Sequence, residues 1–425
     1  MGISATETKE LRGEFLQAAA DLFEKVLSKP PTPNVQELWK EHQQIRKTLD
    51  DISSKQSRID DTDARLARTR SKDDIAAFMA WADQIGIKRY GVTVSECDDV
   101  SGLGLLAQKA IPERSRCLTV PRHAMISVDL ARKSAILKKV FESEVIVQNM
   151  ANVGLALFIC AQRVKTDSKW SAYLNVLPTS YTTPLFYTEE ELQRERAMVQ
   201  PPLLYNSPFT VDNFTFSLYR WSVGTVTTRI NLIPSETARA ANGAAKMVIA
   251  TKNVASGDWV SMFYGRRSCA DHLLHNGFVP AGGNPFDSYR LKISLGRADK
   301  HFTEKQKLFA EMGFSDTSNV YLYDIGVGPK PFHPSMEQFA RIYVSDKPEL
   351  ATSDPKTVAK AVDFLKNRFA LLERSYGTVA EGKTLNEKNI ARLKNAEIAI
   401  LKNARIYCEK WEKRLFEVVD KVKKN

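Results

Sequence analysis

The chain has 425 residues, 43% of them hydrophobic and 26% charged, a normal balance for globular material but too long for one ordinary core, so two or three domains are expected. The net charge of +11 comes from lysines and arginines interleaved with glutamates, as in EKWEKR at 409–414, with no RNA-recognition or zinc-finger signature, so an acidic protein partner is favoured over nucleic acid. Five cysteines (97, 117, 160, 269, 408) lack CxxC or Cys/His spacing, which argues against a structural zinc site and for a reduced intracellular compartment.

From the start, Met1-Gly2-Ile3-Ser4-Ala5-Thr6 fits a loose myristoylation pattern, but no polybasic stretch accompanies it and one acyl chain anchors weakly. No secretory signal peptide is read there. Residues 6–28 are predicted to form an amphipathic helix with Leu11, Phe15, Leu22 and Val26 on one stripe, ended by Pro30-Pro31-Thr32-Pro33. A very polar helix is expected over about 36–68. From Ile85 to Ser127 short strands and turns follow: YGVTVSE, GLGLLAQ and CLTVPRHAMI. Residues 128–222 read as helical, broken by the loop NVLPTSYTTPLFY; the longest apolar run, Val153 to Ala161, suits a buried helix and is too short for a membrane span. Strands return over about 246–264, with Ser256-Gly257-Asp258 as a hairpin turn. Beyond about 300 helices dominate. The last carries a capping box (Thr384, Glu387) and an apolar face of Ile390, Leu393, Ile400, Ala404, Tyr407 and Trp411.

Four segments bear on chemistry. Trp259 to Phe278, WVSMFYGRRSCADHLLHNGF, takes an apolar strand into Phe263-Tyr264-Gly265, then two arginines and a short amphipathic helix. Alone, Phe-Tyr-Gly reads as a strand end closed by a turn glycine. Tyr219 to Pro234 is YRWSVGTVTTRINLIP, in which Arg229 unaided reads as a helix-end cation and Asn231 as a cap. Trp170 to Tyr187 is the proline-punctuated aromatic loop WSAYLNVLPTSYTTPLFY. Ser101-Gly102-Leu103-Gly104 is a GxG turn, equally explained by a β-turn or by close approach to a ligand.

Taken in chain order, the segments resemble the SET-domain methyltransferases of the Rubisco-methyltransferase-like branch, and within it the actin-histidine N-methyltransferases, over roughly 80–415. The resemblance implies an α+β fold: a SET-type β fold with a helical insertion, plus a C-terminal all-α substrate-binding domain. The divisions are a helical N-terminal extension at 1–70, a SET domain at 80–285 with its insertion at about 128–222, and the helical domain at 290–415. It implies S-adenosyl-L-methionine as cofactor, no metal, actin as protein substrate, and a cytoplasmic or nuclear monomer that binds neither nucleic acid nor membrane.

Carried onto this chain, the family's site gives Tyr264 and Asn231 catalytic roles. Ser101, Gly102, Leu103, Gly104, Arg229, Asn276, Gly277 and Phe278 face the cofactor, and Asn231 and Arg267 the substrate. His275 reads as a packed or capping histidine rather than a base. The subgroup also places a cofactor-contacting arginine near Ser71, where Arg70 and Lys72 are the available cations. The chemistry favours histidine as target: its imidazole, with an ordinary pKa of about 6.5, is largely neutral at cellular pH and needs tautomer control, which an amide such as Asn231 supplies, whereas lysine must first lose a proton. A lysine-methylating relative and a catalytically inactive scaffold are the alternatives.

One block departs from the family. Between Arg229 and Tyr264 the family carries an aspartate, an Asn-His pair and a pocket tryptophan. This chain reads IPSETARAANGAAKMVIATKNVASGDW, with no histidine between 230 and 260. A splice or gene-model form lacking an exon and a true pseudoenzyme both account for it, and either implies weakened cofactor binding.

Overall fold

The computed structural model describes residues 3–29, 34–59, 68–97, 102–188, 215–230, 246–314, 319–351 and 354–424. The chain divides into two compact units, one of residues 1–263 and 275–277, the other of 264–274 and 278–425.

The first unit opens with α1 (Ala5–Leu22), whose Ser4 side chain caps Glu7 N and whose Leu11, Phe15 and Leu22 are buried as the stripe predicts. It runs into a π-helical turn, Phe23–Leu27. The 30–33 proline cluster lies outside the described residues, as does the end of the polar helix, described as α2 (Val35–Ile59). α2 is tied to the helical insertion: Phe216 N donates to Gln56 Oε1 (2.8 Å), and the Ser53 and Ser217 hydroxyls are 3.1 Å apart.

α3 (Lys72–Gln84) begins with a capping box between Ser71 and Asp74, whose carboxylate also takes two hydrogen bonds from Arg68. The β material follows as β1 (Lys88–Arg89), β2 (Val92–Cys97), β3 (Gly102–Ala107) and β4 (Arg116–Val120). The insertion is a run of short helices, α4 (Val128–Arg132), α5 (Lys138–Ser143), α6 (Val145–Asn149), α7 (Ala151–Val164), α8 (Ser171–Asn175) and α9 (Phe216–Arg229). α7 is the hub, with every residue from Val153 to Ala161 buried. A helix apolar all round must be surrounded by protein; the buried Phe141, Trp170, Leu174, Leu218 and Trp221 belong to the same cluster. Cys160 Sγ donates to Ser222 Oγ at 3.0 Å, and burial pushes the Cys160 thiol up to about 12.

Strands return as β5 (Lys246–Ile249) and β6 (Trp259–Val260). The turn at 256–258 is present, with Gly257 at φ +88, but it does not close the expected hairpin. β5 pairs with β4 in the sheet β1-β4-β5, and β6 pairs with β3 in the sheet β2-β3-β6. Gly257 N donates to Ala107 O and Ile111 bridges Val254, so 246–260 lies as one seam against 105–120. The local turn signal is sound; the strand partners are distant ones. β6 is also shorter than the apolar run. It stops at Val260, where pairing with β3 ends at Leu105, and Met262 and Phe263 are exposed.

The second unit contains most of α10 (Cys269–Asn276), then β7 (Ser288–Ser294), α11 (Phe302–Glu311), β8 (Val320–Gly326), α12 (Pro334–Val344), α13 (Pro355–Ser375) and α14 (Leu385–Lys424). The expected all-α domain is corrected here: β7 and β8 form a seven-pair antiparallel ladder within 288–326. Alternation drives it, since Leu291 and Ile293 on β7 and Tyr321, Tyr323 and Ile325 on β8 are buried while their neighbours Lys292, Ser294 and Leu322 are exposed. Among the described residues the unit's other elements are helices. Ala361, Val362, Leu365 and Phe369 of α13 and Ile400, Leu401, Ala404 and Cys408 of α14 belong to one buried cluster, in which each large side chain contributes about 1.5–3 kcal/mol relative to exposure. The predicted capping box starts α14, with Glu387 N donating to Thr384 Oγ1 and Thr384 N to Glu387 Oε2, each 3.1 Å.

Candidate active site

In the first unit the candidate residues gather on the 173–183 stretch. Arg229 is the last residue of α9, which Thr215 caps at its other end. Its guanidinium lies 5.0 Å from the centre of the Tyr181 ring, and Nη1 donates to Thr228 Oγ1 at 2.6 Å. Tyr181 is buried and its hydroxyl is 2.6 Å from Thr225 Oγ1; burial raises its pKa and the Arg229 charge opposes that rise. The ring is a fixed platform that aims the arginine. Next in sequence, Thr182 Oγ1 donates to Gly277 O at 2.5 Å. Gly277 sits at φ +80, and a Cβ there would fall 2.7 Å from Thr182 Oγ1 and 3.0 Å from its carbonyl carbon, so glycine is required for the contact.

Two further arginines reach the same stretch. Arg163 Nη1 donates to Leu174 O (2.9 Å) and Asn175 Oδ1 (3.1 Å), with its guanidinium 5.3 Å from the Trp221 ring centre. Burial, reinforced by the charge of Arg68, pulls its pKa down. Arg70 Nη1 donates to Val176 O (3.1 Å), while its Nε is buried without a partner. Lys72, the other cation near Ser71, is exposed in the first turn of α3. An orphaned guanidinium nitrogen beside a cluster of cations fits a ligand that brings a carboxylate.

Gly102, Leu103 and Gly104 lie on β3 opposite Cys97, Glu96 and Ser95. What approaches Gly104 is the Trp259 indole: a Cβ would meet its ring carbons at 2.8 Å. Ser101 and Asn231 lie outside the described residues.

In the second unit Tyr264 is half-buried and its ring meets Phe278 and His272 edge-on, at centroid distances of 5.8 and 6.4 Å. His272 and Phe278 are themselves stacked at 5.2 Å, so three rings hold one another. Gly265 follows at φ +94 and turns the chain out of the Tyr264 segment. Asn284 Nδ2 donates to Arg267 O (2.7 Å), and Arg266 lies over the Phe286 ring. Ser268 and Asp271 cap α10 reciprocally. Cys269 is buried, and burial, with Asp287 adding, pushes its thiol up to about 12. Asn276 ends α10, and His275 in its last turn is exposed rather than packed.

Sequence reasoning missed Tyr181, Thr182 and His272. The first two sit in the aromatic loop read as structural, and only their contacts with Arg229 and Gly277 mark them. Among the described residues no group of three or more His, Cys, Asp or Glu side chains is placed to hold a metal ion, and no helix is long and apolar enough to cross a membrane.

No family model matches the chain. A crystal structure of the SET domain of LSMT bound to lysine and AdoHcy superposes with a TM-score of 0.61 at 17% identity, covering 81% of this chain and 92% of that one. Rubisco LSMT bound to AdoMet gives a TM-score of 0.62 at 18% identity, covering 80% and 93%. The chain has the SET fold. By sequence, the SET chain is similar to the actin-histidine N-methyltransferase of Rattus norvegicus, 26% identical over 486 residues that cover 98% of this chain and 78% of the relative. The Danio rerio enzyme of the same description is 25% identical, with 95% and 76% covered. The aligned span of 486 residues exceeds this chain's 425, so the rat relative carries residues that the SET chain lacks.

Proposed function

We propose that the SET chain is an S-adenosylmethionine-dependent protein methyltransferase that N-methylates a histidine of actin, acting in the cytoplasm or nucleus. The observation that carries it is the arginine set on the 173–183 stretch, with Arg229 fixed on Tyr181 and Arg70 Nε left without a partner, in a chain similar over 98% of its length to an actin-histidine N-methyltransferase. When bound, S-adenosylmethionine supplies an electrophilic methyl group on a sulfonium.

The chain's own residues then have distinct tasks. Arg229, with Arg70, holds the cofactor's carboxylate by charge-assisted hydrogen bonds. Ser101, Gly102, Leu103 and Gly104 offer backbone, and Asn276, Gly277 and Phe278 line the adenosine end. The Tyr264 hydroxyl receives weak C–H···O contacts from the methyl and keeps it in line. Asn231 bonds one imidazole nitrogen of the substrate, fixes the tautomer and leaves the other nitrogen free to attack. Arg267 meets the substrate peptide. The reaction needs positioning more than acid–base chemistry.

Calorimetric titration of the full chain with S-adenosylmethionine, followed by mass spectrometry of actin incubated with both, tests the reading. Saturable binding and a methyl group on a histidine are expected. A methyl on lysine would replace the target, and no cofactor binding would leave an inactive scaffold in place of the enzyme.

A further inference from the structure

The backbone that leaves Tyr264 is gripped by two side chains from a later loop. After Gly265 the chain passes through Arg266 and Arg267 into the start of α10. Asn284 Nδ2 donates to Arg267 O at 2.7 Å, and Asp287 Oδ1 accepts from Cys269 N at 2.7 Å. These bonds hold the chain on either side of Ser268, which the reciprocal cap with Asp271 already fixes. The loop is itself braced. Phe286 N donates to Asn284 Oδ1 (3.0 Å), Asp287 N to Asn284 O (3.0 Å), and Ser288 N, the first of β7, to Asp287 Oδ1 (2.9 Å).

Asp287 is 6% exposed, and among the described residues its carboxylate is held by the Cys269 and Ser288 amides and the Cys269 thiol. Burying a carboxylate is costly. The start of a helix offsets that cost, because its amide dipoles favour negative charge and an N–H bond to a carboxylate is stronger than one to a neutral oxygen. What the grip secures is the frame around Tyr264. The gripped residues lie between Tyr264 and His272, whose ring meets Tyr264 edge-on and stacks on Phe278. Gly277, beyond the other end of α10, has a separate anchor in the Thr182 hydroxyl.

We propose, resting on the role given to Tyr264 above, that Asn284 and Asp287 are positioning residues for methyl transfer. They hold Arg267 O and Cys269 N, and so set where the Tyr264 hydroxyl and the Arg267 main chain stand. A division of effects follows. Loosening 267–269 displaces Tyr264 and His272 while Gly277 keeps its Thr182 bond, so turnover suffers and cofactor binding does not.

The test combines hydrogen–deuterium exchange over 264–272, read by mass spectrometry, with kcat for methyl transfer and calorimetric cofactor Kd, all on the full chain. Asp287→Ala is expected to raise exchange over 264–272 and to lower kcat about tenfold, with Kd changed by less than about twofold. Asp287→Asn keeps an oxygen for both amides and should restore the protection and most of kcat. Asn284→Ala leaves Asp287 in place, should act in the same direction as Asp287→Ala, and decides the matter if circular dichroism shows that Asp287→Ala does not fold. Unchanged exchange in the alanine variants, or kcat and cofactor affinity falling together, would overturn the proposal. A wild type that transfers no methyl group would overturn the functional reading and this proposal with it. That outcome is distinct from an active wild type whose variants match it, which overturns the positioning role alone.

Discussion

Tyr264 contributes a hydroxyl on a ring that His272 and Phe278 hold in place. Tyr264→Phe keeps the ring packing and removes only the oxygen. Methyl transfer, followed by mass spectrometry of the product, should fall roughly tenfold, about 1.4 kcal/mol of barrier, with the melting temperature unchanged. Unchanged transfer would remove Tyr264 from the chemistry. Gly277 offers the opposite case, a position where adding one carbon matters. At φ +80, with Thr182 Oγ1 2.7 Å from where a Cβ would sit, Gly277→Ala should destabilise the chain by about 1–3 kcal/mol, read as a lower melting temperature. An unshifted melt would show that the Thr182 contact yields easily.

Among the elements, α14 depends on a local start signal. Thr384→Ala removes the acceptor for Glu387 N, and chemical denaturation should report a loss of about 1 kcal/mol. That signal was legible in the sequence because capping acts over three residues. The buried face of α7 was legible for a similar reason, an apolar run too dense to belong to a surface. Strand partners were less so. The Ser256-Gly257-Asp258 turn is local and was found, but β5 and β6 bind β4 and β3 instead of each other, a choice made by residues far off in the chain. β7 and β8 escaped notice because seven-residue alternations interrupted by Arg290, Lys292 and Asp324 carry a weak period. The site divides in the same way. Arg229 and Tyr264 stand in recognisable segments, whereas Thr182 and His272 gain significance only from partners that folding brings beside them.

For the whole molecule, pH should matter through Glu397. Burial raises its pKa, the Tyr376 hydrogen bond opposes this, and the Asp287 charge adds to the rise. A carboxyl whose folded pKa lies above its unfolded value of about 4.3 favours the folded state most when protonated, so its contribution is full below that value and is lost as pH rises through the folded pKa. Glu397→Gln keeps an acceptor for Tyr376 without the buried charge. Its melting temperature should exceed the wild type's at about pH 8, and the gap should close towards about pH 5. A gap that widens on acidification would reverse the assignment.

The seam of 246–260 against 105–120 also governs the order of events during folding. β4 ends at Val120 and β5 begins at Lys246, with the insertion between them, so the ladder cannot nucleate by zipping outward from a turn. Closing so long a loop is entropically slow, and contacts of this separation dominate the folding time. The helices around α7 can settle first on one another and bring the two strand ends within reach. Substitutions in the core of the insertion are therefore expected to slow refolding, by delaying strand pairing in a region it does not contain.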